Sequence, residues 1–473
     1  MLEDQLYKMA NDDFKSKIIG TVNLFNEDFP FTYENGILNI SFGLDKKAIQ
    51  PLSRGKFDFE SITGSFDNDK KFITFYLGDN EYMTGLSVRY YAQTDLSIPV
   101  KFFLIHERPF ETMKFISVKI RLVNEKFRKF LGYYEKHNLP NKFIKRQSLN
   151  YKISYNTHNL RNVSKVQFKD REVSIYPYFA LTTSSSYAKL RSGIDFVFKE
   201  KTINYSFMDD LLRTIYLVLR FIFYRQNVEF GNVSIHVKHK IDNKYFFDKI
   251  GECFMPLNNQ FEMEKNDMDR INDVGYIAWN HIYSHLPSLF SLIEKNELYL
   301  FNLPDNKKHK GYTSINSVSL DASAFEFEYN KLYGNTNLFS DNEDRTIVVA
   351  KIKEISKELE NENQKKLATS CVANIFNSTL RMKNKKALED FSFLIKPICD
   401  KKFAYVDYVK EVSDEFVSKR NAIDHGLENL TITQKTATAY YVERILIYAM
   451  QLRRIGMNDD EIIASVQMVF ELF

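Results

Sequence analysis

Three polar side chains near the C-terminus have the types and spacing for phosphate chemistry. Arg420, Asn421 and His425 lie within Phe403–Gly426, FAYVDYVKEVSDEFVSKRNAIDHG. A histidine titrates near neutral pH, so His425 can act as a general base or a general acid. An arginine is permanently charged and forked, which matches the non-bridging oxygens of a phosphate. Asn421 can orient either the phosphate or the imidazole.

The element that must position them reads as one long amphipathic helix over Phe403–Gly426. Tyr405, Val409, Val412, Phe416 and Ile423 recur at spacings of three, four and seven and form one apolar stripe. Arg420 follows Phe416 by four, on or beside that stripe, and Asn421 and His425, also four apart, share the neighbouring face. Gly426 supplies a helix stop, and a helix dipole ending there favours protonated His425. Residues five apart lie about 140° apart on a regular helix. Arg420 and His425 therefore converge only if the helix distorts or if two copies meet. The competing reading is structural: Arg420 and Asp424, four apart, form a surface ion pair, and His425 binds a carbonyl at the helix end.

Arg420-Asn421-Ala422-Ile423-Asp424-His425 resembles the Arg-x4–6-His signature of the HEPN superfamily, and the polar residue after the arginine and the glycine after the histidine also fit. That resemblance implies an α-helical bundle acting as a metal-independent endoribonuclease. It implies Arg420, His425 and Asn421 as catalytic residues, no cofactor, and a homodimer in which two motifs build one composite site. The products expected by analogy carry a 2′,3′-cyclic phosphate. The layout, a long β-rich part followed by such a bundle, resembles the ApeA-like anti-phage defence family. Phe57–Gly64 and Ala324–Tyr329 are similar to parts of that family. The resemblance implies RNA as substrate, tRNA among the candidates, with the N-terminal part sensing or restraining, and a phage-derived trigger as a further partner. The alternatives are a non-catalytic RNA-binding or dimerisation module, or the toxin half of a toxin–antitoxin pair, against which the long N-terminal part argues.

The rest of the chain sets bounds. Its 473 residues suit two or three domains, and 44% hydrophobic residues suffice for sizeable cores. A net charge of +4 does not by itself announce nucleic-acid binding. From Gly311 to Phe473 there are 21 basic and 24 acidic residues, against 44 and 37 in the remainder, so the N-terminal part holds the positive excess. Cys253, Cys371 and Cys399 lack a CxxC, which argues for a reducing compartment and against a structural zinc site. The N-terminus has no apolar signal core, and Leu211–Tyr224, the most apolar run, is too short to span a bilayer. A cytoplasmic protein without membrane partners is expected.

The fold class expected is α+β multidomain: a β-rich N-terminal region over 1–302, with two subdomains split near 130–150 as an option, then a helical bundle over 311–473. Gly36–Phe42, Phe72–Leu77, Lys101–Ile105, Lys114–Val123, Leu149–Tyr155, Val173–Tyr176, Gly193–Phe198, Val228–Val237 and Tyr245–Ile250 read as strands of an antiparallel sheet, sandwich or barrel. Met208–Tyr224 reads as a helix, and Leu303–Gly311 as the boundary. Val318–Leu332, Thr346–Leu359, Gln364–Thr379 and Thr433–Leu452 read as bundle helices, with a short one from Asp459. Lys383, Lys385 and Lys386, in a basic run with Arg381, and Lys419, beside the motif, are candidate RNA-backbone contacts; a solvated helix face is their bland reading. His281 and His285 have a metal-ligand spacing, but nothing completes a site, so packing is preferred. His236 and His239 fall on opposite faces of a strand, and Glu326 and Glu328 read as a solvated face with an outside role at the site.

Overall fold

Period-two alternation of apolar residues builds the N-terminal part into strands, and period 3.6 builds the C-terminal part into helices. The computed structural model describes residues 8–9, 17–24, 26–42, 59–67, 70–78, 86–89, 93–107, 117–124, 127, 130–131, 162–183, 188–199, 204–228, 231–257, 275–334, 343–375, 379–403, 405, 407–426 and 431–472. The Leu149–Tyr155 strand lies outside them.

In chain order the first strands are β1 (Lys8–Met9), β2 (Ile18–Leu24), β3 (Glu27–Glu34), β4 (Ile37–Ser41), β5 (Ser61–Phe66), β6 (Lys71–Leu77), β7 (Leu86–Arg89) and β8 (Gln93–His106). Then come β9 (Ser117–Val123), β10 (Ser164–Phe168), β11 (Arg171–Thr183), β12 (Ala188–Phe198), β13 (Asn232–Ile241), β14 (Lys244–Phe254) and β15 (Pro256–Leu257). The path β4–β3–β2–β5–β6 begins and ends on β8, which closes six antiparallel strands into a barrel. β8 is long enough to serve several partners: Asp95–Pro99 carry β4, and Phe103–His106 carry both β6 and β14. Phe31, Tyr33, Phe75 and Phe103 fill the interior, with ring centroids 4.8–5.9 Å apart. Closure leaves these strands no free edge there.

Through β14 the ladder continues as β14–β13–β9–β12–β11–β10, all antiparallel. Strands from both sides of 130–150 interleave here, since β9 lies between β12 and β13, so the optional split is not where the ladder divides. Helix α1 (Met208–Phe223), a short α2 (Trp279–Ile282) and α3 (Leu286–Glu294) complete this unit; α3 packs on α1 and β10.

The two compact units are Met1–Lys295 and Asn296–Phe473. Leu303–Gly311, read as the boundary, is part of the second: Lys307–Gly311 form a 3₁₀ turn, and the buried Lys310 ammonium donates to the Val469 carbonyl at 2.8 Å. The helices of this unit are α4 (Ile315–Tyr333), α5 (Glu343–Glu358), α6 (Glu362–Ile375), α7 (Leu380–Asp390), α8 (Ser392–Lys402), α9 (Tyr408–Asp424), α10 (Gln434–Arg454) and α11 (Asp459–Phe470). α10 is its centre, buried from Val442 through Leu452 and packed on α4, α9 and α11. The chain is α+β, a β-barrel and sheet region followed by a helical region. No described helix is long and apolar enough to cross a membrane.

Candidate active site

Helix α9 carries the motif. It begins at Tyr408, not at Phe403, because α8 runs to Lys402 and the Asp407 carboxylate caps the new helix, accepting from the Lys410 N–H at 3.1 Å. It stops as the glycine foretold. The His425 N–H donates to the Asn421 carbonyl at 3.0 Å, and Gly426 takes φ +62°, where an L side chain is strained.

The inner face is locked. Val412 and Phe416 are fully buried, and the Phe416 ring packs against Phe325 and Tyr440 at 5.6 and 5.3 Å. The Tyr440 hydroxyl donates to the Phe416 carbonyl at 3.0 Å, which fixes the backbone one turn before Arg420. Ser413 donates to Asn384 Oδ1 at 2.7 Å, and Asn384 Nδ2 donates to both Glu443 oxygens at 2.8 Å. Burial pushes the Glu443 carboxyl up to about 8. Nearer the motif, Thr436 Oγ1 donates to Glu415 Oε1 at 2.6 Å. Lys419 Nζ donates to the Thr431 carbonyl at 2.9 Å. These two bonds tie the C-terminal half of α9 to the start of α10.

The outer end is open. Arg420, its side chain 34% exposed, pairs through Nε with Asp424 Oδ2 at 2.9 Å and donates from a terminal nitrogen to Asn421 Oδ1 at 3.3 Å. Asn421 and His425 are exposed. Arg420 and Asn421 are thus brought together, whereas no described bond joins the His425 ring to either. The ion pair weighed as the structural alternative is present. Arg420 spends only part of its five-donor fork on it, so the remaining N–H groups are open to an anion.

The basic run lies elsewhere on the helix bundle. Arg381 pairs with Asp414 at 3.1 Å and Asn384 meets Ser413, so α7 touches the first half of α9. Arg420 is seven residues beyond Ser413, about 10 Å along the axis. From that contact α7 runs away from the motif: Asn384 meets Glu443 near the middle of α10, while Phe391, just past the end of α7, lies under Arg453 at the far end. Lys383 donates to Asn330 at 3.0 Å and Lys386 pairs with Asp390 at 2.8 Å. Lys383, Lys385 and Lys386 therefore do not flank Arg420; Lys419, one residue before it, does.

His281 is on α2 and His285 lies in the turn before α3, so one helix does not present both. No group of metal-ligating side chains occurs among the described residues. His236 is buried, which pushes its imidazole down to about 4, and His239 sits 3.4 Å from Asp248. Glu328, read as part of a solvated face, is fully buried: it accepts from the Tyr299 N–H at 2.8 Å and from Gln451 at 3.1 Å, and it pairs with Arg454. Two turns earlier on α4, Asp321 forms a fully buried pair with Arg444 at 2.8 Å. Sequence reasoning also missed Glu443, Asn384 and Ser413. The available signal was adjacent Glu443 and Arg444 inside an otherwise apolar run, since charges there are kept only when paired or hydrogen-bonded. No protein-family model, curated protein or solved structure matches this chain.

Proposed function

We propose that the chain is a metal-independent endoribonuclease of the HEPN kind, in which the end of α9 supplies Arg420, Asn421 and His425. One observation carries the reading: a forked cation, an amide and an imidazole share one exposed helix end whose inner face is locked into the bundle. Cleavage of RNA by its own 2′-hydroxyl needs a base, an acid, and a cation for the phosphorane. Arg420 would hold the phosphate, with Asn421 orienting it, and His425 would move the proton. On a straight α9 the two residues diverge, so two copies pairing through the helical unit would complete the site. The substrate is RNA, with tRNA among the candidates, and the setting is anti-phage defence in the cytoplasm, with the N-terminal unit restraining the nuclease or sensing a phage product.

The observed Arg420–Asp424 ion pair favours a second reading, a non-catalytic RNA-binding or dimerisation module. Sequencing RNA ends after expression of wild type, His425→Ala and Arg420→Ala separates the two. The nuclease reading expects 2′,3′-cyclic phosphate ends from wild type alone, and cleavage by purified protein in EDTA as in magnesium. Cutting by His425→Ala at the wild-type rate would sink it.

A further inference from the structure

The sheet of the N-terminal unit has two unlike faces. Ile120, Leu122, Ile175, Phe196 and Ile235 line one of them and are buried. Strand alternation turns the intervening residues to the other face, where cations lie over aromatic rings. The Arg121 guanidinium sits 3.4 Å over Tyr178 while holding Asp195 through two bonds of 2.6 and 2.8 Å. Lys119, itself buried, lies 4.0 Å over Phe247, and the more open Lys238 lies 4.2 Å over Tyr245. Cross-strand pairing of Lys238 with Phe247 and of Lys240 with Tyr245 confirms that these share a side.

The last two rows belong to a hairpin. β13 and β14 continue past Lys238, which is opposite Ser117 at the start of β9. They close on Asp242 and Asn243, whose φ angles of +46° and +62° suit a tight primed turn. Lys244 through Lys249 are all exposed, Tyr245 at 57% and Phe247 at 38%. The positive charge is only partly answered. Lys119 and Arg121 share Asp195, and Lys249 pairs with Glu252, but Lys238 and Lys240 make no ion pair among the described residues.

We propose that this hairpin binds single-stranded nucleic acid, with bases stacking on Tyr245 and Phe247 and phosphates meeting Lys238 and Lys240. Exposed rings interleaved with cations on a sheet are the chemistry that recognises unpaired bases joined by phosphates. Bases inside a duplex have no open face for such rings. Ile241 and Phe246 are also exposed on the hairpin's opposite side, but its turn is Asp242-Asn243-Lys244, whose charges a bilayer interior would reject. The binding face goes beyond the nuclease reading and stands without it.

Fluorescence anisotropy of the full chain with a labelled single-stranded 2′-O-methyl oligoribonucleotide tests it. That probe has no 2′-hydroxyl to attack, so the outcome is independent of any cleavage. The single strand should bind more tightly than a duplex of the same sequence. Tyr245→Ala and Phe247→Ala should each weaken binding about tenfold. A Lys238→Ala, Lys240→Ala double variant should flatten the slope of log K against log salt by about 1.4. Tyr245 is the most exposed of these rings, so its variant keeps the fold, which circular dichroism checks. Equal binding of duplex and single strand with Tyr245→Ala unchanged overturns the proposal. So does binding to phosphatidylserine vesicles without binding to the oligonucleotide, which would assign the hairpin to a membrane surface.

Discussion

Ser413 and Arg420 sit seven residues apart on α9, hence on nearly the same side of the helix, yet their surroundings are opposite. Ser413 is sealed among Asn384 and Glu443, with its hydrogen bonding met inside the protein. Arg420 reaches solvent with its guanidinium only partly engaged. The sealed set has nothing left to offer a ligand and serves to hold α9, α7 and α10 in register. The open set keeps donors and an imidazole available on a backbone that the sealed set has immobilised. Polar residues on one helix thus divide into a positioning group and a group free for chemistry, and burial makes the division.

The sharpest way to break that division is His425→Ala. It should lower RNA cleavage by about 10²–10⁴-fold while leaving the unfolding free energy within about 0.5 kcal/mol. A variant that loses stability instead would place His425 with the structural set. The converse substitution is Asp321→Ala, which strands the buried Arg444 guanidinium. Denaturant unfolding should show a loss of about 3–5 kcal/mol, and an unchanged midpoint would mean that the pair is open to water.

Glu443 tests the sealed set by pH. Burial raises its folded-state carboxyl from the ordinary 4.5 to about 8. Between these values the folded chain keeps a proton that the unfolded chain has released. Stability is therefore full below the ordinary value, falls as pH rises through the window, and levels off above about 8. Glu443→Gln removes that dependence, so its unfolding midpoint should gain on wild type as pH climbs. A constant difference would show that Glu443 is not held as described. The smallest effect belongs to Asp424→Asn. Losing a half-exposed ion pair four residues along a helix should cost about 0.3–0.5 kcal/mol, while the freed Arg420 keeps or improves RNA cleavage.

Much of this was legible along the chain. Val412 and Phe416 announced the buried stripe of α9, and Gly426 its end, because helix periodicity and a left-handed cap are local properties. The strand runs from Gly36 to Phe42 and from Phe72 to Leu77 were equally plain. The start of α9 was misread because Tyr405 falls in phase with its stripe, although the Asp407 cap starts the helix only after it. Leu303–Gly311 looked like a domain boundary because Pro, Gly and lysines cluster in it, yet Lys310 is drawn into the helical unit by the Val469 carbonyl, a partner far along the sequence. The lysines of α7 looked like companions of the motif because nothing in a sequence says which way a packed helix runs.

The sequence by itself determined the order of β-rich and helical parts, the apolar faces, and the residue types at the end of α9, since each depends on neighbours a few positions away. Only the tertiary structure decided that six strands close on β8, that Glu328 and Asp321 are buried counter-charges, and that Lys383 through Lys386 lead away from Arg420. These depend on contacts between residues far apart in the chain, where the cost of burying a charge or leaving a strand edge open selects among arrangements that local patterns leave equal. The same distinction separates Lys238 and Tyr245, neighbours only across a hairpin, from the Arg420–His425 spacing that one helix displays directly.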